Sequence, residues 1–291
     1  MKRHTSALIA ALLIAAALMA GCQQPGQPIA QDPVQAVKDI VEKQAEIKTQ
    51  HVDLTLDLKL KVQGLSSSDP STAQTAALFR DFKATASAAG DVDNAKSDFS
   101  LKGTADLGMF TAFLLPEGAE KLEFELVKVG ETMYSRLVGQ EWNETPVDTS
   151  AAGSGDTPAD VNKQLRDLLK KVAKAERLGD ETIDGVGAYH FKVTLDTVEL
   201  IAEAAKLAQQ SGGEVDQTQL DQASDLLKNS DLTLEMWVGK ADLYIRQQIL
   251  HLGLNLTNIP DAPPEATVTA DINLTVKNSK LNEAVTISKP K

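Results

Sequence analysis

The chain has 291 residues, 42% of them hydrophobic, with 29 Lys and Arg against 41 Asp and Glu and a formal net charge of −12 at pH 7. That excess of acid argues against nucleic acid or an anionic membrane face as an electrostatic partner. The single cysteine excludes a disulfide framework, and the length suits one large domain or two small ones.

The first element reads as an export signal. Lys2, Arg3 and His4 form a basic start, and Ala7 to Ala17 form an apolar run too short to cross a bilayer comfortably. Leu18-Met19-Ala20-Gly21-Cys22 then resembles the bacterial lipobox. This resemblance implies a diacylglyceryl group, with acyl chains such as palmitate, on the Cys22 thiol, and cleavage before Cys22, which becomes the new N-terminus. Two acyl chains make a stable anchor, at about 0.8 kcal/mol per buried methylene. The expected location is extracytoplasmic, on the cell membrane. An ordinary secretory signal with a chance cysteine is the alternative. Without residues 1–21 the chain has 291 − 21 = 270 residues and a charge of 27 − 41 = −14. Nothing after Ala20 is apolar for long enough to span a bilayer.

Residues 22–31 read as a lipidated polar tether. Asp32 and Pro33 then suit an N-cap and first helical position, and Val34, Val37, Val41 and Ala45 recur at helical spacing to about Gln50. The period switches to two in HVDLTLDLKLKVQ, where Val52, Leu54, Leu56, Leu58, Leu60 and Val62 share one face of a long strand. After a loop, Phe82 to Val92 alternates only weakly and reads as a further strand. Clear strands are expected around Phe99–Leu107 and Leu122–Leu126, with a hairpin through Gly130-Glu131. GQEWNETPVDTSAAGSGDTPA reads as a flexible loop, and an amphipathic helix follows through Val161, Leu165 and Val172. Asp184-Gly185 marks another hairpin. Two more helices carry Leu200 to Leu207 and Leu220 to Leu227. Strands then run from Leu232 to the end, where KNSKLNEAVTISKP is expected to close the chain as a hairpin and last strand.

About ten antiparallel strands, each apolar on one face and charged on the other, predict a sheet covered on one side in a single α+β domain over residues 32–291. Two stretches carry a family resemblance: LGDETIDGVGAYHFKVTLD (Leu178 to Asp196) and DLTLEMWVGKADLYIRQQILHLGLNL (Asp231 to Leu256). Both resemble the LppX/LprG-type bacterial lipoproteins and, more distantly, the LolA/LolB lipoprotein carriers. The resemblance implies a strongly curved antiparallel β-sheet, a half-open barrel, with helices covering its concave face and an apolar cavity for acyl chains between them. It also implies a protein that carries or presents lipids at the cell envelope, without covalent chemistry. The segment MFTAFLLPEGAEK and the acidic, glycine-rich loop after Trp142 depart from the family.

Alternating aliphatics can line a cavity or fill a core, since both need inward apolar side chains. In the cavity reading the lining residues are Leu54, Leu56, Leu58, Leu101, Phe124, Leu234, Met236 and Ile272. Phe110, Phe113 and Leu114 would form a mouth or touch a membrane, or else belong to ordinary core. No catalytic constellation, phosphate loop or metal-ligand spacing is present in the sequence, and no cofactor is expected. His190 reads as a strand histidine facing solvent or a neighbour, and Trp142 and Trp237 as packing anchors. The second reading is an envelope sensor or assembly protein on the same scaffold, with a transporter or other envelope protein as partner.

Overall fold

The alternation read in the sequence closes into one structure: an open antiparallel sheet of 11 strands. The computed structural model describes residues 26–64, 80–108, 121–147, 174–195, 230–257 and 263–291. The strands are β1 (Thr49–Gln63), β2 (Phe82–Asp93), β3 (Asp98–Asp106), β4 (Leu122–Val129), β5 (Thr132–Leu137), β6 (Asn143–Pro146), β7 (Lys174–Ile183), β8 (Val186–Thr194), β9 (Asp231–Gly239), β10 (Ile245–Thr257) and β11 (Thr267–Ser279). Their order is β6-β5-β4-β3-β2-β1-β11-β10-β9-β8-β7. The chain meanders outward from β1 to β6, enters the opposite edge at β7 and meanders back to β11. The β1–β11 ladder joins the two meanders, in register from His51↔Ser279 to Gln63↔Thr267.

Both edges resist further pairing. β6 is four residues long and ends in Pro146, which lacks an amide donor. β7 carries Lys174, Glu176, Arg177, Asp180 and Glu181, and a bulge interrupts its register between Arg177 and Gly179.

One α-helix, α1 (Pro33–Lys43), is present among the described residues. The Asp32 carboxylate accepts hydrogen bonds from the Val34 and Gln35 amides, capping it as expected. Its buried stripe is Ala36, Val37, Ile40 and Val41. These pack on Tyr189, Phe191 and Val193 of β8, Leu234, Met236 and Val238 of β9, and Ile245 of β10. Gln44 fixes the far end: its amide nitrogen donates to the Leu243 carbonyl, and its amide oxygen accepts from the Ile245 N–H. The helix therefore stops at Lys43 with a 3-10 turn over Gln44–Glu46, well short of Gln50, and β1 begins at Thr49. A second cluster joins Val52, Val92 and Phe99, with Leu101, Leu126 and Met133 packed against it.

The structure corrects several expectations. The supposed tether is bound to the sheet from Gly26 onward: the Gln27 amide donates to the Lys240 carbonyl at 2.7 Å, and its side chain donates to the Ala241 carbonyl at 2.9 Å. The Tyr189 hydroxyl donates to the Gln27 carbonyl at 2.9 Å. The loop after Trp142 contains β6. The closing hairpin does not form: β11 ends at Ser279, and Lys280 and Asn282 turn the chain with positive φ. Asn282 then clasps the start of β1 through the Lys48 amide and the Thr49 carbonyl. The three later helices lie outside the described residues.

Because Ile40 is fully buried between α1 and the sheet, Ile40→Ala should cost about 2–5 kcal/mol, the usual range for aliphatic-to-alanine changes in a core. Urea unfolding of the variant against wild type measures it.

Candidate ligand-binding face

Registered pairing places one apolar row after another across the sheet. One row runs Phe124–Gly103–Ala88–Leu54–Val276 and on through Gln248 to Met236. The next runs Leu122–Ala105–Ala86–Leu56–Leu274–Leu250–Leu234. Leu58 lies opposite Ile272, and Leu101 joins through Gly90 to Val52. All eight residues named from the sequence as lining therefore fall on one face, the face that α1 covers.

They do not share one environment. Leu234 and Met236 lie beneath α1, 1% and 0% exposed, and are core. Leu54, Leu58, Leu101, Phe124 and Ile272 are partly buried, and Leu56 is 36% exposed. The reason is reach. An 11-residue helix is about 16 Å long, whereas the 15 residues of β1 extend about 50 Å. The helix covers β8 to β10 at the end where β9 turns into β10. The leucines of β1 toward Val62, with Leu252, Leu254, Leu256 and Ile272, lie beyond it.

Within this face β2 and β3 form a low strip. β2 contributes Ala84, Ala86, Ala88 and Gly90, and β3 contributes Gly103 and Ala105. A Cβ on Gly103 would run into the Phe124 ring and the Ser87 carbonyl, so an aromatic side chain closes over a residue that must be glycine. The leucines of β1 stand on one side of the strip, with Leu122, Phe124 and Leu126 of β4 on the other.

The opposite face is polar. Thr55, Ser87, Thr104 and Glu123 line up across β1 to β4, and with Asp53 and Lys102 they border an open depression of about 380 Å³. Lys102 is paired with Glu125 at 3.2 Å, and Arg136 donates to the same carboxylate at 2.6 Å. The Arg136 bond, followed by Lys102, holds the Glu125 carboxyl below its ordinary range.

On the polar face of β7 to β9 a compact cluster centres on His190. Its Nδ1 lies 2.7 Å from Glu181 and its Nε2 3.0 Å from Glu235, and its ring stacks on Trp237 with centroids 4.1 Å apart. The Trp237 indole N–H donates to the second Glu181 oxygen at 2.8 Å. These two side chains thus anchor strands, in line with the packing role expected of Trp237. His51 bonds Asp91, and His251 bonds Asn273. Among the described residues no group of three or more His, Cys, Asp or Glu is placed to hold a metal ion, and no helix is long and apolar enough to cross a membrane. Cys22, Phe110, Phe113 and Leu114 lie outside the described residues.

No family model matches the chain, and no curated protein matches it. Among solved structures the chain is similar to LprF from Mycobacterium bovis, at 15% identity and a TM-score of 0.47, covering 91% of this chain and 99% of that one. It is also similar to the lipoprotein LppX from Mycobacterium tuberculosis, at 15% identity and a TM-score of 0.40, over 89% and 100%. A DUF1329 family protein from Desulfovibrio piger follows at 11% identity and a TM-score of 0.24, over 88% and 96%.

Two outcomes follow. Leu234→Ala should destabilise by about 2–5 kcal/mol while Leu56→Ala costs under about 1 kcal/mol, because only the first opens a cavity; chemical denaturation separates them. The Trp237 N–H, and then His190, lower the Glu181 pKa from its ordinary 4.5. A depressed folded pKa means the unfolded chain binds the extra proton, so this contribution is present above pH 4.5 and is lost as pH falls through the folded value. Wild type should therefore lose thermal stability more steeply below pH 4.5 than Glu181→Gln.

Proposed function

We propose that the protein is a membrane-anchored lipoprotein that holds a lipid or another acyl-chain amphiphile on the apolar face of its sheet and carries or presents it in the cell envelope, without making or breaking bonds. The observation that carries this reading is a continuous aliphatic face too long for α1, with leucines on β1 left partly exposed. Burial of such a surface by an acyl chain is favourable by about 25 cal/mol per Å² of apolar area removed from water. The lining is aliphatic and contains few aromatics, which suits long flexible chains without directional contacts. The low strip along β2 and β3, between the β1 leucines and Phe124, is where a chain would lie. The lipobox-like Leu18–Cys22 segment and the family resemblance of Leu178–Asp196 and Asp231–Leu256 support the same reading.

Filling the strip tests it. Ala86→Trp places a large side chain where the proposed ligand lies, on a partly exposed position. Binding of a fluorescent fatty acid should weaken at least tenfold, with urea stability close to wild type. Undiminished binding in a folded Ala86→Trp protein, or no binding by wild type, would count against the reading. The second result would turn the search toward a protein partner.

A further inference from the structure

The way the N-terminal strap is fastened bears on how an anchored molecule stands on its membrane. Gly26 is wedged between the Tyr189 hydroxyl and the Lys240 side chain: a Cβ there would lie 2.6 Å from the first and 3.2 Å from the second. Gln27 is held by the three hydrogen bonds described above, from its amide to Lys240, from its side chain to Ala241, and from Tyr189 to its carbonyl. Ile29 and Ala30 pack against the core beneath α1. The Tyr189 ring is flanked by the Arg177 guanidinium at 4.8 Å and the Lys240 ammonium at 5.4 Å. Both cations are paired with Asp180. The strap is thus clamped at one corner of the sheet, where β8 begins and β9 turns into β10.

Only residues 23–25 separate Cys22 from this clamp. Four extended steps span at most about 14 Å. The opposite ends of the long strands are much farther away: from Ile245 to Thr257 β10 rises about 41 Å. We propose that the corner formed by the start of β8 and the β9–β10 turn is the membrane-facing surface of the anchored protein, its partner being the headgroup layer of the bilayer that holds the Cys22 lipid. The ends of β1, β2, β10 and β11 near Gln63 then point away from that bilayer. This rests on the reading of Cys22 as lipidated, and it is independent of what the apolar face binds. Local charge agrees. Arg177, Lys240 and Arg246 stand against Asp180, Glu181, Asp184 and Asp242 at this corner, a local sum of 3 − 4 = −1, so it carries little of the net acid of −14 that repels the rest of the chain from an anionic leaflet.

The acylated protein leaves no other thiol, so one introduced cysteine takes one label. Ala241→Cys reports the corner, and Gln63→Cys, exposed at the end of β1, reports the far end. The labelled full-length lipoproteins are inserted into phosphatidylcholine–phosphatidylglycerol vesicles carrying a headgroup acceptor dye. Energy transfer from position 241 should be at least threefold that from position 63. A twenty-residue Gly-Ser insertion between Pro25 and Gly26, with an end-to-end distance of about 25 Å, should reduce the transfer from 241. Equal transfer from both positions, greater transfer from 63, or no change on insertion would overturn the proposal. Intact-mass analysis of the same samples separates the two failures: no lipid on Cys22 removes the anchor itself, whereas a lipid with equal transfer removes only the orientation.

Discussion

A strict period of two, kept in register across many strands, is the constraint on which this structure rests. On β1 every second residue from Val52 to Val62 is apolar, and its pairing with β11 and β2 carries that face outward strand by strand. A slip of one residue in the β1–β11 ladder would bring Asp53, Asp57, Lys59 and Lys61 onto the helix-covered face. The charged alternation therefore enforces register as well as solubility. Once the register is set, the apolar face exceeds what α1, the one α-helix among the described residues, can cover. Everything proposed about ligand binding follows from that mismatch between strand length and helix length.

The two ends of the face are built differently. Near the β9–β10 turn, α1, the docked strap and Gln44 close it into a dense core around Phe191, Leu234 and Met236. Toward Val62 the face consists of partly buried leucines. A rigid closed end beside an aliphatic surface suits a protein that must keep its fold whether or not a chain lies on that surface. The polar cluster of His190, Glu181, Glu235 and Trp237 ties β7, β8 and β9 together from the other side, beneath the part of the sheet that bears the helix.

Much of the fold was legible because hydrophobic alternation is strong where strands are long and leucine-rich, as in β1, β10 and β11. β2 was faint because its covered face is Ala84, Ala86, Ala88 and Gly90, whose contrast with Lys83, Thr85 and Ser87 is small. The same small residues make the low strip, so the feature of most functional interest is the one with the weakest signal. β6 was hidden in a polar loop because an edge strand of four exposed residues needs no apolar pattern. The helix boundary was misplaced because Gln44, a polar residue, ends α1 through tertiary hydrogen bonds to Leu243 and Ile245. The strap was read as a tether because its partners, Tyr189, Lys240 and Ala241, lie more than 150 residues away in sequence and each bond uses a backbone carbonyl as acceptor, which leaves no local pattern. All eight residues proposed as lining share one face, yet the sequence could not tell that α1 would take Leu234 and Met236 for the core.

Native mass spectrometry of the chain from Gln23 onward, purified without detergent from its own host, tests the central claim most directly. The account predicts a discrete added mass that extraction identifies as an acyl lipid, and its loss in Ala86→Trp. A bare protein mass that stays unchanged when host lipids are added would contradict it.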